Sequence, residues 1–386
     1  MKKKAIGIMS GTSLDAVDIV LCEIEGSYLE TQIKELAFKS YSFDEELKHK
    51  TLQAISLENA SAKDLCSLNF ELGYLFADCV NQFLNEHSLT SDEIDFIASH
   101  GQTIYHIPQD EKNHIRSTLQ LGDGSIISSK TGITTVSNFR TADMALGGQG
   151  APLVPYAEFL MYRDKNKNRA MHNLGGISNL TILNRDCSEA SVLAFDTGPA
   201  NMMIDYSMQQ LYHLPYDQNG ATARKGQLIR SMYDQIMSKS YFNECPPKST
   251  GRELFGNLYT KSLIDQYMNH KKEDIIHTLT KVTANSIIEA YERFVLKNTP
   301  LDEIIFAGGG AYNTYLMELI QTGLPNIKIM RLEDLGFNSQ SKEATAFVVL
   351  GNETLNGHYN HLLKATGATT YGILGQISPV YKKVKS

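Results

Sequence analysis

The spacing of apolar positions divides the chain into short strands and amphipathic helices. Residues 5–9 and 17–24 are compact runs of apolar and β-branched side chains. They predict two strands around the polar turn Ser10-Gly11-Thr12-Ser13, a hairpin close to the N-terminus. Leu72, Leu75, Phe76, Cys79, Val80, Phe83 and Leu84 recur at three- and four-residue intervals, which predicts a helix with one apolar stripe laid on a sheet. Residues 94–103 predict a short strand ending in His100, Gly101, Gln102 and Thr103, the strand end at which open α/β sheets hold ligands. Residues 137–158 carry three glycines and two prolines within nine positions, which predicts a long irregular connection and a boundary near Asn138. Beyond it come strands at 171–173, 179–183 and 192–196, a helix over 201–211, and a helical stripe over 279–294. A strand, glycine turn and helix follow over 302–320. No repeat is visible by identity. The expected fold is α/β in two lobes, residues 1–137 with 362–386 and residues 138–361.

Composition narrows the class. At 386 residues the chain is too long for one core and suits two domains with a cleft. Its 42% hydrophobic and 20% charged residues are those of a folded globular protein. A net charge of -7 argues against a nucleic-acid partner or an anionic-membrane surface, while leaving room for a local pocket that takes a small anion. Lys2, Lys3 and Lys4 imitate the start of an export signal, but only residues 5–9 follow as an apolar run, and no stretch is long enough to span a bilayer. Cys22, Cys66, Cys79, Cys187 and Cys245 are scattered and form no CxxC pair, which favours reduced thiols in the cytoplasm over disulfides or a zinc site.

The chemistry concentrates in three turns. Ser10-Gly11-Thr12-Ser13 offers backbone N–H groups under little steric cover and three hydroxyls, a concavity that suits phosphate oxygens. Asp15 and Asp18 behind it are oxygen ligands of the kind Mg²⁺ takes, directly or through water. A plain hairpin with polar turn residues has the same letters. In "AFDTGPAN" (194–201) an apolar strand delivers Asp196 to a glycine turn, where partial desolvation makes a carboxylate a better base. An Asp that only accepts hydrogen bonds from the next turn is the alternative. "AGGGAYN" (307–313) lets a flat base or a ribose approach the backbone ahead of a helix; it has no GKS or GKT, so a P-loop is excluded.

Three such turns in this order, split between two α/β lobes, resemble the actin-like (RNase H-like) ATPase superfamily of sugar kinases, Hsp70 and actin. The strings "GIMSGTSLDAVD", "SHGQTIYHIP", "NFRTADMALGGQGAPLVP", "HNLGGISNLT", "FDTGPANMMID", "AGGGAYN", "KEATAFVVLG" and "TGATTYGILGQISP" together resemble the anhydro-N-acetylmuramic acid kinase family from end to end. That resemblance implies two lobes, each a mixed sheet flanked by helices, around an interdomain cleft. It also implies an enzyme of cell-wall recycling that uses ATP, Mg²⁺ and water to convert 1,6-anhydro-N-acetylmuramate into N-acetylmuramate 6-phosphate, and a homodimer.

Carried over by position, Gly11, Thr12, Ser13, Leu14, Asp15, Ala16, Val17 and Asp18 would meet the ATP phosphates, together with Gly175, Gly176 and Gly198. Gly308, Gly309, Gly310 and Asn313 would complete the nucleotide site. Asp196 would be the base that activates water. His100, Gln102, Arg140, Gly148, Gly150 and Asn179 would line the sugar site, and Asp15, Asp18 and Glu343 would serve the metal directly or through water. A first-turn Glu343 that only complements its helix dipole is the bland alternative, and a domain-joining salt bridge is the alternative for Arg140. Two positions depart from the family pattern: Ala200, where Gly is usual, and Asn138, where Asp is usual. The second puts the orientation of Arg140 in doubt. A kinase acting on a free sugar hydroxyl, and a nucleotide switch that binds a protein partner, stay open at this stage.

Overall fold

The computed structural model describes residues 2–11, 14–56, 60–185 and 188–380. The chain divides into two units, Met1–Met161 with Gln340–Ser386, and Tyr162–Ser339. The expected boundary at Asn138 therefore falls inside the first unit. Residues 137–158 are also less irregular than their glycines and prolines suggest, because helices Phe139–Ala145 and Val154–Tyr162 occupy most of the span. The second of these is tied to the first unit by Tyr156, whose hydroxyl donates to Tyr359 O at 2.7 Å, and by the buried Glu158–Lys342 pair at 2.9 Å.

In the first unit the strands are β1 (Lys3–Ser10), β2 (Ala16–Glu25), β3 (Gln32–Ser42), β4 (Phe96–Ile107), β5 (Ser117–Leu121) and β6 (Thr135–Ser137). β1, β2 and β3 form an antiparallel meander, and β4 and β6 continue the sheet parallel to β1. The second unit holds β7 (Arg169–Leu174), β8 (Ile177–Leu183), β9 (Leu193–Pro199), β10 (Glu303–Ala307) and β11 (Lys328–Arg331). A last strand, β12 (Gln376–Ser378), returns to pair with β6. β7, β8 and β9 are again an antiparallel meander, and β10 and β11 again run parallel to its first strand. The first sheet thus reads β3-β2-β1-β4-β6, with β5 paired to β4 off this path, and the second reads β9-β8-β7-β10-β11 with the same senses, the duplicated topology of the actin-like fold. The repeat that identity does not reveal is present in the strand order.

Short hairpins can join antiparallel strands, but the parallel strands need crossover helices. Helix Ala62–Glu86 leads to β4, and helix Lys272–Ala290 leads to β10. The stripe expected on the first of these is the one that packs: Leu72, Phe76, Val80 and Phe83 lie in one cluster with Ile6, Ile8, Ile19 and Leu21 of β1 and β2. β10 is buried at every position, as a parallel strand covered on both faces must be, while the outer strand β3 alternates and carries charges along its edge. Among the described residues no helix is long and apolar enough to cross a membrane.

Candidate active site

In the first unit the site begins where β1 ends. The buried Ser10 donates its hydroxyl to Gln102 Oε1 at 2.6 Å, and the two are register partners across β1 and β4. β4 does not stop at Thr103 as expected but runs on to Ile107, so the polar quartet lies around a bulge instead of at a strand end. The register slips between the Ile8–Ser99 and Ser10–Gln102 pairs. Gly101 sits in the slip at φ +75°, with Leu121 O only 2.9 Å from where a Cβ would stand, a position only glycine fills without strain.

The bulge aims His100 at Arg140. His100 Nε2 accepts from Arg140 Nε at 3.1 Å and Nη2 at 2.8 Å, while its Nδ1 meets Gly101 O at 2.8 Å. Arginine has no acceptor, so the imidazole proton must be on Nδ1. Burial, and after it the Arg140 charge, push the pKa of His100 down to about 3. The ring stays neutral at working pH. Arg140 also donates from Nη1 to Gly150 O at 2.7 Å, and burial lowers its pKa while Glu343 and Asp143 act the other way. Three of its five N–H groups are engaged, which leaves two without a partner among the described residues. Two such donors on one planar group suit a carboxylate or a phosphoryl oxygen pair.

Gly150 is held in turn by Asp143, a residue that the sequence reading passed over. Asp143 Oδ2 accepts from Gly150 N–H at 2.7 Å, and Oδ1 from His361 Nδ1 at 2.5 Å, with both side chains fully buried. His361 Nε2 accepts from Gly372 N–H at 2.9 Å. Burial alone would raise the Asp143 pKa, but hydrogen bonds from His361, Thr366 and Gly150 outweigh it and hold the carboxyl below its ordinary value. Asn138, in the left-handed region at φ +55°, accepts from Thr141 Oγ1 at 2.6 Å. The missing charge at 138 therefore does not decide where Arg140 points; His100 and Gly150 do. A Cβ at Gly148 would stand 2.2 Å from Asp143 Oδ2. Gly148→Ala should accordingly cost about 1–3 kcal/mol, the usual range for overpacking. An unchanged denaturant midpoint would show that the loop yields freely.

The hairpin tip is only partly described, since Thr12 and Ser13 lie outside the described residues. Leu14 N–H donates to Gly11 O at 3.3 Å. The side chains of Leu14 and Val17 are fully buried and belong to the core, so only their backbone faces any ligand there. Ala16 opens β2. Asp15 is exposed with Lys48 Nζ 3.3 Å away, and the half-buried Asp18 accepts from Ser40 Oγ at 2.5 Å, burial raising its pKa. Glu343 is exposed in the first turn of helix Lys342–Asn356. Among the described residues no three His, Cys, Asp or Glu side chains gather as a metal cage. A groove of about 590 Å³ lies beside His100, lined by Thr118, Gln120, Ser137, Asn138 and other hydroxyl and amide groups.

In the second unit β7, β8 and β9 lay a polar row across the sheet. Asn173 is the register partner of Asn179, and Asn179 of Asp196. Cross-strand partners share a face, and all three residues are half-buried. Asn173 went unnamed from the sequence, although its place relative to the turn Gly175-Gly176 sets it opposite Asn179. Asp196 Oδ2 accepts from Thr250 N–H at 2.9 Å. Its backbone is pinned on both sides: its N–H donates to Lys248 O at 3.0 Å, and its C=O accepts from Tyr241 OH at 2.6 Å. Burial pushes the Asp196 pKa up to about 6; the Thr250 bond works against that rise and Glu253 with it. The segment that supplies these partners was missed because it lies 54 positions downstream and contains no strand-end glycine turn of the kind searched for.

The glycine turns meet beside this row. Gly175 and Gly176 join β7 to β8, and their carbonyls accept from the N–H groups of Ala200, Asn201 and Met202 at 3.0–3.1 Å. Gly308 lies against Leu174 O and Asn173 Oδ1, and Gly309 and Gly310 against the Asn201 amide, which itself donates to Leu174 O at 3.0 Å. By strand order the counterpart of the Ser10–Ala16 turn is Gly175-Gly176, while the Asp196-Thr197-Gly198 turn belongs to the third strand of its meander. Asn313 caps helix Thr314–Gly323, its Oδ1 accepting from Leu316 N–H at 3.1 Å, so that side chain has a structural task. Ala200 adopts φ −112° and ψ −107°, so the departure from Gly imposes no left-handed strain, although this ψ lies between the α and β wells.

The sequence model of a family described as anhydro-N-acetylmuramic acid kinase matches residues 3–380. The chain is 49% identical over 376 residues to a protein of Francisella tularensis subsp. novicida (strain U112), covering 97% of this chain and 98% of that protein. It is 46% identical over 374 residues to one of Bacillus cereus (strain 03BB102), covering 96% and 98%. Both relatives are named anhydro-N-acetylmuramic acid kinase. The chain belongs to the anhydro-N-acetylmuramic acid kinase family.

Proposed function

We propose that this protein uses ATP and water to open 1,6-anhydro-N-acetylmuramate and to phosphorylate O6, giving N-acetylmuramate 6-phosphate and ADP in peptidoglycan recycling. The observation that carries the reading is Asp196: a half-buried carboxylate, backbone-pinned, with a pKa near 6, in a row with two asparagine amides and beside the glycine turns.

An ordinary sugar kinase deprotonates the hydroxyl that attacks phosphorus. Here O6 has no proton, because it is tied into the anhydro acetal. The base acts on water instead. Asp196 takes the proton as water attacks C1, C1 develops oxocarbenium-like charge, and the C1–O6 bond breaks. O6 then bonds to the γ-phosphorus as the β–γ bridging oxygen leaves with ADP. Asn173 and Asn179 have amides on the same face with which to orient the water or the sugar. The two unpartnered N–H groups of Arg140 take the lactyl carboxylate of the sugar, and the hydroxyl and amide groups of the groove beside His100 suit sugar hydroxyls.

In the first unit the Gly11 turn serves the phosphates, and in the second Gly308, Gly309 and Gly310 serve the nucleoside. Mg²⁺ fits Asp18, a half-buried carboxylate with one hydroxyl partner, since this ion usually keeps several waters and takes phosphate oxygens beside one or two carboxylates. When bound it supplies charge neutralisation on the β- and γ-phosphoryl oxygens.

The test is coupled ADP release with 1,6-anhydro-N-acetylmuramate as the only sugar, run in ¹⁸O-water. Label should appear in the C1 hydroxyl and not in the phosphoryl group. Label in phosphate would mean plain ATP hydrolysis, and turnover of N-acetylmuramate in place of the anhydro sugar would mean a kinase of free hydroxyls.

A further inference from the structure

Behind the polar row, on the buried side of the same strands, runs a second line of polar groups. Tyr291 OH meets His172 Nδ1 at 2.9 Å, His172 Nε2 meets Ser178 Oγ at 2.7 Å, and Ser178 Oγ meets Thr197 Oγ1 at 2.6 Å. All four residues are buried, at 1% exposure or less. One direction of donation uses every hydrogen: Tyr291 to His172, His172 to Ser178, Ser178 to Thr197, and Thr197 to the Ser178 carbonyl at 3.4 Å. The imidazole is wedged between the Phe306 and Tyr291 rings, with centroids at 4.8 and 5.6 Å. Tyr291 itself opens a π-helical turn, Tyr291–Val295, at the end of helix Lys272–Ala290, an irregularity often found at functional sites.

The line ends at a break in the sheet. Ser178 pairs with Gly198 and Asn179 with Asp196, so Thr197 is an extra residue, a bulge on β9 with no partner on β8. A bulge sets the direction of the side chains beside it and leaves its extra residue unpaired in the ladder. The Thr197 hydroxyl ties the bulge to Ser178 of β8, beside the bonds that Lys248, Tyr241 and Thr250 make to Asp196, the residue before it.

We propose that Thr197, Ser178, His172 and Tyr291 are positioning residues for the reaction: through the Thr197 bulge they fix the direction of the Asp196 carboxylate toward its water. The inference rests on the reading of Asp196 as the base. A hydroxyl line kept only for packing would be simpler to build from apolar side chains, since each buried polar group must find its partner.

The decisive variant is Thr197→Val, which keeps the shape and removes the hydroxyl. Its kcat should fall about 10–30-fold while KM for ATP and for the anhydro sugar stay within about twofold, the pattern of an interaction that acts in the transition state. The acid limb of kcat/KM should move by about half a pH unit or more, because the surroundings of Asp196 change. Thr197→Ser should restore kcat to within about threefold. Where Thr197→Val does not fold, Tyr291→Phe, which removes one hydroxyl at the far end, takes its place with an expected loss of about 3–10-fold in kcat.

A folded variant with a lowered melting temperature but kcat within twofold of the parent overturns the inference and leaves the base reading standing. Asp196→Asn, measured beside it, separates the two: turnover near normal in that variant would overturn both.

Discussion

Asp196→Asn is expected to bind nucleotide and sugar as the parent protein does and to turn over slower by about three decades or more, the scale of losing a general base together with the place of its water. Binding by calorimetry and single-turnover rates check the two halves separately. The same variant should be more stable at neutral pH. Burial raises the folded-state pKa of Asp196 from 3.8 to about 6, so the folded protein holds that proton more tightly than the unfolded chain. The resulting penalty is absent below the unfolded value, grows as pH rises from about 4 to 6, and is complete above it. With allowance for partial exposure it is worth about 1–2 kcal/mol. A neutral amide should remove it, raising the unfolding midpoint at pH 8 and not at pH 4. Loss of activity with gain of stability cannot be misfolding. In the parent, kcat/KM should fall as pH drops below about 6. That limb resembles a histidine titration, but His100 is held near 3 and cannot produce it. Asp205, also pushed up to about 6 by burial and then by Asp217, is another carboxylate in range; Asp205→Asn should leave the limb in place.

The legible parts of this protein were those with a local period or a local turn. The stripe from Leu72 to Leu84 and the strand-turn-helix over 302–320 carry their own pattern, and the structure has both nearly as the spacing predicts. What the sequence hid is set by pairing between distant segments. Nothing local distinguishes a β4 that ends at Thr103 from one that bulges at Gly101 and continues; the difference lies in its register with β1 and β5. Asp143 reads as an ordinary polar residue of an irregular connection until His361, more than two hundred positions away, is found against it. Thr250 lies in no recognisable turn, yet its N–H meets the central carboxylate. Asn173 went unnamed although its signal is local: two asparagines astride Gly175-Gly176 stand opposite each other once those glycines make a hairpin. The glycines at 147–150 misled for a physical reason. Gly148 serves close approach to the Asp143 carboxylate, and Gly147 and Gly150 take positive φ beside Thr369 and Met144 within one short loop; the helices on either side start and stop without needing them.

Arg140→Gln should lower kcat/KM for the anhydro sugar by about two decades or more, through KM chiefly if its two open N–H groups hold the lactyl carboxylate, and through kcat chiefly if they hold the transferring phosphoryl group. A glutamine has two N–H donors in place of five and no charge, so it cannot serve His100, Gly150 and a ligand together. Arg140→Lys separates the two ingredients. It keeps the charge, but a point-like ammonium cannot bond His100 Nε2 and Gly150 O while presenting a planar pair outward. The lysine variant should therefore recover no more than about tenfold of the loss, and full recovery would mean that charge alone matters and that the anchoring by His100 and Gly150 is incidental. His100→Asn checks the same logic from the other side. Because His100 is neutral and only accepts from Arg140, an asparagine carbonyl can stand in for Nε2 in chemistry though not in reach, and the expected loss is smaller than that of Arg140→Gln. Were the histidine loss the larger of the two, His100 would be acting on the substrate directly, and the arginine would be its support instead of the reverse.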